Sequence, residues 1–162
     1  MKVDMKFEVA IVPVSDVDRA KAFYTKLGWR VDDDIVNGKD FRAVQLTPPN
    51  SAASVTFGKG VTDAKPGSFR GGLIVSDILA AHKYIAASGI QATDVFHSSP
   101  FSPEARIPGP DPERKSYSSY VAFQDPDGDE LLHGSGHSEG VFMSQTQNTN
   151  FWTPCTSTRR RV

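Results

Sequence analysis

The chain has 162 residues, 38% hydrophobic and 23% charged, and a formal net charge of −1. That is ordinary globular composition, with room for one domain or for two small modules on a shared core. A near-neutral chain argues against a nucleic-acid partner. No apolar stretch approaches the roughly 20 residues needed to cross a bilayer, so no membrane span is expected.

The first apolar run, Phe7 to Val14, reads as a strand. Ser15 and Asp16 follow with side-chain oxygens suited to the free N–H groups that open a helix. The helix itself shows an apolar stripe of Val17, Ala20, Phe23, Tyr24 and Leu27, and ends at Gly28, where a left-handed residue is wanted. Trp29 to Asp32 reads as a second strand, and Thr47 to Ala53 as the turn between the last two strands of this unit.

The chain then repeats itself. A slide of 61 positions brings Val14-Ser15-Asp16-Val17 onto Val75-Ser76-Asp77-Ile78, Phe23 onto Tyr84 and Gly28 onto Gly89. The second copy accordingly has a strand at Leu73 to Val75, a helix carrying Ile78, Ala81 and Ile85, and a strand at Ile90 to Phe96. Ala43-Val44-Gln45 matches Ala122-Phe123-Gln124 at 79 positions, which implies a net insertion of 18 residues.

The insertion falls between His97 and Tyr120, where Pro100, Pro103, Pro108, Pro110 and Pro112 cluster. Prolines at that density predict neither regular helix nor sheet. Ser98 to Ser116 then reads as a lid turning Phe101 and Ile107 toward a ligand, or as a disordered surface insertion. Strands at Tyr117–Gln124 and Glu130–His133 flank the turn Asp125-Pro126-Asp127-Gly128-Asp129. Each copy reads βαβββ, over about 6–58 and 68–134, within one domain spanning 1–134. The tail, 135–162, shows no clear period. Its Arg159-Arg160-Arg161 run reads as a solvated end, and its lone Cys155 cannot form an internal disulfide. Together with an N-terminus that lacks a leader pattern, this suggests a cytoplasmic protein.

The segments Val12 to Tyr24, Leu27-Gly28-Trp29 and Phe123 to Gly128 together resemble the vicinal-oxygen-chelate (glyoxalase/bleomycin-resistance) superfamily over residues 6–134. The resemblance implies an α+β fold of paired βαβββ modules. Each module would curl a sheet around a concavity, the two concavities would face each other as an open pocket, and the protein would be a homodimer. Members include glyoxalase I, extradiol dioxygenases, methylmalonyl-CoA epimerase, fosfomycin-modifying enzymes and antibiotic-sequestering proteins, so the site has to decide the function.

Enzymes of the superfamily hold one divalent metal through His, Glu or Gln on the first and last strands of each module. Val9, Thr56, Arg70 and Leu132 occupy the matching positions. Valine and leucine carry no lone pair, arginine is permanently cationic and threonine is a poor lone ligand. No metal and no other cofactor is therefore expected. Glu8 and His133 lie one residue away, and strand alternation turns them from the pocket unless a bulge intervenes.

The candidate catalytic groups are His97, Arg70 and Glu8. His97 reads either as a hydrogen-bonded strand-end histidine or as an acid–base under the lid. Arg70 either faces the pocket, where its planar fork suits a carboxylate, phosphate or enolate, or reaches out to solvent or an acidic neighbour. His82 on a helix surface and His137 among Gly and Ser read as structural and solvated.

Candidate substrate-binding residues are Phe7 and Val9 on the first strand, Thr56 and Leu132 on the last strands, and Gln45 and Gln124 as module-equivalent polar groups. Tyr117 and Tyr120 flank the insertion and would cover a planar ligand. Phe57 and Phe101 read as stacking groups or as core and lid packing. The favoured function is a metal-independent protein with a largely apolar small-molecule pocket. It would be an isomerase, cyclase or lyase working by proton transfer, or else a non-catalytic antibiotic-sequestering protein. A metal-dependent glyoxalase or dioxygenase stands third.

Overall fold

Both helices begin where the sequence places an aspartate. Asp16 opens α1 (Val17–Lys26) by accepting the Arg19 N–H at 3.0 Å. Asp77 opens α2 (Ile78–Ala87) by accepting the N–H groups of Leu79 and Ala80. Each carboxylate satisfies donors that have no partner inside the helix. Gly28 and Gly89 follow the helices at φ +74° and +68°, a conformation that strains any residue with a β-carbon. The computed structural model describes residues 3–136. Cys155, His137, Arg159 to Arg161 and the rest of the expected tail beyond 136 lie outside the described residues.

The first sheet contains β1 (Val9–Ile11), β2 (Arg30–Asn37), β3 (Phe41–Thr47) and β4 (Ser54–Lys59), in the order β1-β4-β3-β2. The second contains β5 (Arg70–Val75), β6 (Phe96–Ser98), β7 (Arg106–Pro108), β8 (Ser119–Gln124) and β9 (Glu130–Ser135), in the order β5-β9-β8-β6-β7. In both, the opening strand pairs parallel with the closing strand, β1 with β4 and β5 with β9, and the other pairs are antiparallel. The fold is α+β, with two βαβββ units, the second extended by β7.

Several local expectations change. The first strand forms ladder pairs only over Val9–Ile11, because only those residues lie opposite β4. In the second unit the expected strand Ile90–Phe96 is replaced by β6, which begins at Phe96, and by a single bridge from Ala92 to Phe123. Thr93 accounts for the gap: its hydroxyl accepts the Ala122 N–H at 3.0 Å, taking the place of a ladder carbonyl. The proline-rich insertion is not devoid of regular structure. It contains a short 3-10 helix (Pro103–Ala105) and the strand β7 on the sheet edge, where the missing N–H of Pro108 leaves no ladder bond unmade.

The Gln45/Gln124 equivalence also fails, by two residues. Gln45 sits opposite Thr56, whereas the residue opposite Leu132 is Ala122, and Gln124 lies one ladder step nearer the turn, opposite Glu130. A slip of two preserves the face of the sheet, so the letter match misleads about level and not about side.

One core joins the two units. Tyr24, Val44, Leu46 and Phe57 of the first unit pack in a single cluster with Ile78, Ile85, Val121, Phe123 and Leu131 of the second. Tyr24 lies at its centre, 4.8 Å from the Trp29 ring and 5.7 Å from the Phe57 ring. Phe57 is fully buried there, so it is a core residue and does not line a pocket.

The turn after β8 locks the arrangement. Asp125 accepts the Tyr24 hydroxyl at 3.1 Å and the N–H groups of Asp127 and Asp129. Asp127 accepts from the Ser15 hydroxyl at 2.5 Å and from Arg19 at 2.7 Å. Burial, with Asp125 close by, pushes the Tyr24 phenol well above its ordinary range, so it stays a donor. Asp129 is buried completely, accepts the Phe69 N–H at 2.6 Å, and has its acidity weakened by that burial.

Because the helix-side faces share this core, the two concave faces do not meet within the chain. Val9, Ile11 and Ile35 on the first sheet and Ile74 on the second remain exposed. The expected pocket of two facing concavities is therefore not closed by one copy of the chain.

Candidate functional site

Side-chain alternation decides what each concave face carries. On the second sheet Phe96 pairs with Tyr120, Tyr120 with Gly134 and Ala122 with Leu132, so these residues share one side. Phe96, Tyr120 and Ala122 form a buried apolar cluster of their own, with Leu132 packed against it. The Phe96 and Tyr120 rings lie 5.8 Å apart at an angle of 32°. The guanidinium carbon of Arg106, at the start of β7, stands 4.3 Å from the Phe96 ring centroid.

A cleft of about 700 Å³ opens where β6 is cut short. Its walls are the end of α1 (Phe23, Lys26), the segment Gly89 to Thr93, and β8 and its turn. Arg106, Ala122, Gln124 and Glu130 also line it, so it borders the concave face of the second sheet, although Phe96, Tyr120 and Leu132 do not line it.

The first sheet's concave face is polar by comparison. Gln45 pairs with Thr56, which in turn lies beside Ile11. Thr47 bonds to Asp32 and lies 2.7 Å from the Ser54 hydroxyl. The Thr47 hydroxyl and, after it, Arg30 hold the Asp32 carboxyl below the usual range.

The proposed catalytic groups are not brought together. Phe96 faces the concave side, so His97 turns to the other face, with its Nδ1 2.8 Å from the Gly109 carbonyl oxygen. Arg70 is largely exposed and pairs with Glu130 at 3.1 Å, the acidic neighbour that the parallel ladder sets beside it. Glu8 is exposed just before β1, where its carbonyl accepts the Ser54 N–H at 2.8 Å.

Of the binding candidates, Val9 and Thr56 lie on the first concave face and Tyr120 and Leu132 on the second. Gln45 is half-buried on the first face, and Gln124 is an exposed wall of the cleft. Phe7 and Phe101 project into solvent. Tyr117 is exposed at φ +59°, and its carbonyl accepts the Tyr120 hydroxyl, which fixes the end of that ring.

Sequence reasoning missed Phe96 and Arg106. Both lie in or beside the segment read as a structureless lid, and the alternation that would have exposed them appears only once β7 is paired.

A model of the Glyoxalase/Bleomycin resistance protein/Dioxygenase superfamily matches residues 6–131. The chain belongs to this superfamily. No curated protein sequence matches the chain. Among solved structures, the protein is similar to TnmS3, an antibiotic binding protein from Streptomyces sp. CB03234, at 23% identity and a TM-score of 0.64, covering 85% of this chain and 100% of that one. It is also similar to a glyoxalase/bleomycin resistance protein from the same organism, at 25% identity and a TM-score of 0.59, over 80% and 99% of the two chains. A third similar structure is a bleomycin-binding protein complexed with bleomycin, at 22% identity and a TM-score of 0.52, over 83% and 100%.

Metal-using relatives in this superfamily place ligands where this chain has Val9, Thr56, Arg70 and Leu132. That donor set does not fit a divalent ion, since it offers one neutral hydroxyl and a cation. The one-residue neighbours do not repair it. The β5–β9 ladder runs without a bulge, so His133 stays off the concave face, and Glu8 lies just before the first paired residue of β1. His133 instead packs edge-on against Phe123 at 5.2 Å, and burial lowers its pKa to about 4. Among the described residues no three His, Cys, Asp or Glu side chains converge as a metal site.

Proposed function

We propose that this protein binds a planar, largely apolar small molecule on the concave face of the second sheet, without a divalent metal, and returns it unchanged. The observation that carries this reading is the composition of that face. Phe96, Tyr120, Ala122 and Leu132 form an apolar floor, while His97 and Glu8 lie elsewhere and Arg70 is held by Glu130. An apolar surface with few fixed polar groups binds by area and shape. Proton transfer would need a titratable group within hydrogen-bond reach of the reacting atom. The antibiotic-binding and bleomycin-binding relatives support sequestration as the role.

The binding unit is a homodimer. Val9, Ile11 and Ile35 on the first concave face and Ile74 on the second are exposed, and Val3, Met5 and Phe7 form an exposed apolar row running into Val9 and Ile11, with Asp4, Lys6 and Glu8 on alternate positions. A second copy of the chain would cover these rows and wall the two clefts.

The test is a panel of polycyclic aromatic compounds titrated against the purified protein, followed by recovery of each compound. Stoichiometric binding with the compound unchanged is expected. Conversion to a new product overturns the sequestration reading. About one divalent ion per chain by elemental analysis overturns its metal-free part, and a monomer by sedimentation overturns the dimer.

A further inference from the structure

We infer that Arg106 makes the second concave face selective for planar conjugated ligands carrying an ionised acid group, a carboxylate being the simplest. The inference rests on the binding reading above and adds the chemical class of the ligand.

Arg106 is held in place from two sides. Its guanidinium lies over Phe96 at 4.3 Å, and its Nη2 donates to the Pro100 carbonyl at 3.0 Å. Its Nε is buried with no acceptor. Arg19, Arg30, Arg42 and Arg70 each pair with an Asp or Glu, at distances from 2.6 to 3.1 Å. Among the described residues Arg106 and Arg114 have no such pair, and of these two only Arg106 is partly buried, Arg114 being exposed. A guanidinium partly withdrawn from water with no counter-charge costs free energy, and a ligand anion would offset that cost.

A second cation shares the cleft. Lys26, at the end of α1, lines it and also lacks an ion pair among the described residues. The cleft's carboxylates are already engaged, Asp125 with the Tyr24 hydroxyl and two N–H groups, and Glu130 with Arg70. The lining thus balances two cations, Lys26 and Arg106, against two carboxylates, and Arg106 is the cation set against the apolar floor, 4.3 Å from the Phe96 centroid.

The apolar floor sets the shape of the ligand. A flat conjugated body lying over Tyr120 and Leu132 points its edge toward the Arg106 fork, which matches a carboxylate through two parallel N–H bonds. A lysine ammonium matches the charge but not that geometry.

The experiment compares two probes of the same aromatic body, 1-pyrenecarboxylate and 1-pyrenecarboxamide, by fluorescence titration of the full chain near neutral pH and low ionic strength. The carboxylate is expected to bind at least about tenfold tighter, the scale of one charge-assisted pair. Arg106→Gln should abolish the preference, the two probes then binding equally, and Arg106→Lys should restore part of it. In the unaltered protein the preference should shrink as NaCl rises from about 0.05 to about 0.5 M, which tests the charge without any substitution. Equal affinity for the two probes, or a preference indifferent to salt, overturns the inference and leaves the binding reading standing. A preference that survives Arg106→Gln and vanishes in Lys26→Gln overturns it in favour of the lysine. If neither probe binds, both the inference and the reading beneath it fail.

Discussion

The two concave faces come from equivalent strands yet differ in chemistry. The first mixes exposed Val9, Ile11 and Ile35 with Gln45, Thr47, Ser54 and Thr56, the Thr47 hydroxyl bonding to Asp32 and Ser54. The second presents Phe96, Tyr120, Ala122 and Leu132, with a cation above them. Both closing ladders have the same parallel and antiparallel pairing, so the backbone scaffold does not set the difference. It lies in side chains pointing one way from strands whose other side is committed to a common core. A duplicated sheet thus offers two independent surfaces on one frame, and only the second carries an aromatic cluster with a cation set against it.

The severest test of that picture attacks the frame. Tyr24→Ala removes a fully buried ring and the donor to Asp125, and should cost about 3–5 kcal/mol in urea unfolding. Ligand binding at the second sheet should be lost with it near the unfolding midpoint, although Tyr24 belongs to the first unit. A loss under about 1 kcal/mol would show that the units do not share one core.

Acid should weaken the same frame. The unfolded chain protonates His133 near 6.5, while burial delays protonation in the folded chain to about 4. Between those values the unfolded state binds the extra proton, so stability falls as pH drops through that window, by an amount on the order of 2–3 kcal/mol. Unfolding midpoints measured across the window should fall, and His133→Met should flatten the dependence. An unchanged slope in that variant would assign the acid sensitivity to other groups.

The contrast between the faces is sharpened by paired truncations. Phe96→Ala should weaken binding of a planar aromatic ligand about ten- to thirtyfold, or about 1.4–2 kcal/mol. Gln45→Ala should change it by no more than about twofold. Equal losses at both sites would place the ligand between the two sheets of a dimer, in contact with each.

The smallest effect is expected at Thr56→Val, which exchanges a half-buried hydroxyl for a methyl on the polar face and should shift stability by about 0.5 kcal/mol or less. Calorimetry checks it. A loss above about 2 kcal/mol would show that the hydroxyl belongs to the Thr47–Ser54 network.

Much of the frame was legible from local chemistry. Asp16 and Asp77 mark helix starts and Gly28 and Gly89 mark helix ends because capping and positive φ depend on immediate neighbours. His133 was legible too, since a gap-free ladder turns adjacent residues to opposite faces. What depends on distant partners was hidden. The prolines concealed β7, because a proline is harmless on an edge and edges are not visible in one strand's sequence. The Gln45/Gln124 match suggested the wrong level because similarity of letters does not fix ladder register. Arg70 attracted interest by its position, and its partner Glu130, sixty residues on, comes into view only once the parallel β5–β9 ladder is formed. Arg106 acquires meaning only from Phe96 beneath it.

The bonds from Ser15 to Asp127 span 112 positions of the chain. Ribosomal synthesis at about 5–20 residues per second leaves roughly 5 to 20 s between the appearance of the two partners. Throughout that interval the opening turn of α1 and the apolar surface of Tyr24 wait without the strand turn that later covers them. The cover of that apolar surface thus depends on a contact of long sequence separation, the kind whose loop closure comes late in folding. A chain stopped anywhere before the Asp125–Asp129 turn should be a substrate for chaperones or proteases, and one stopped just beyond the last strand should escape them.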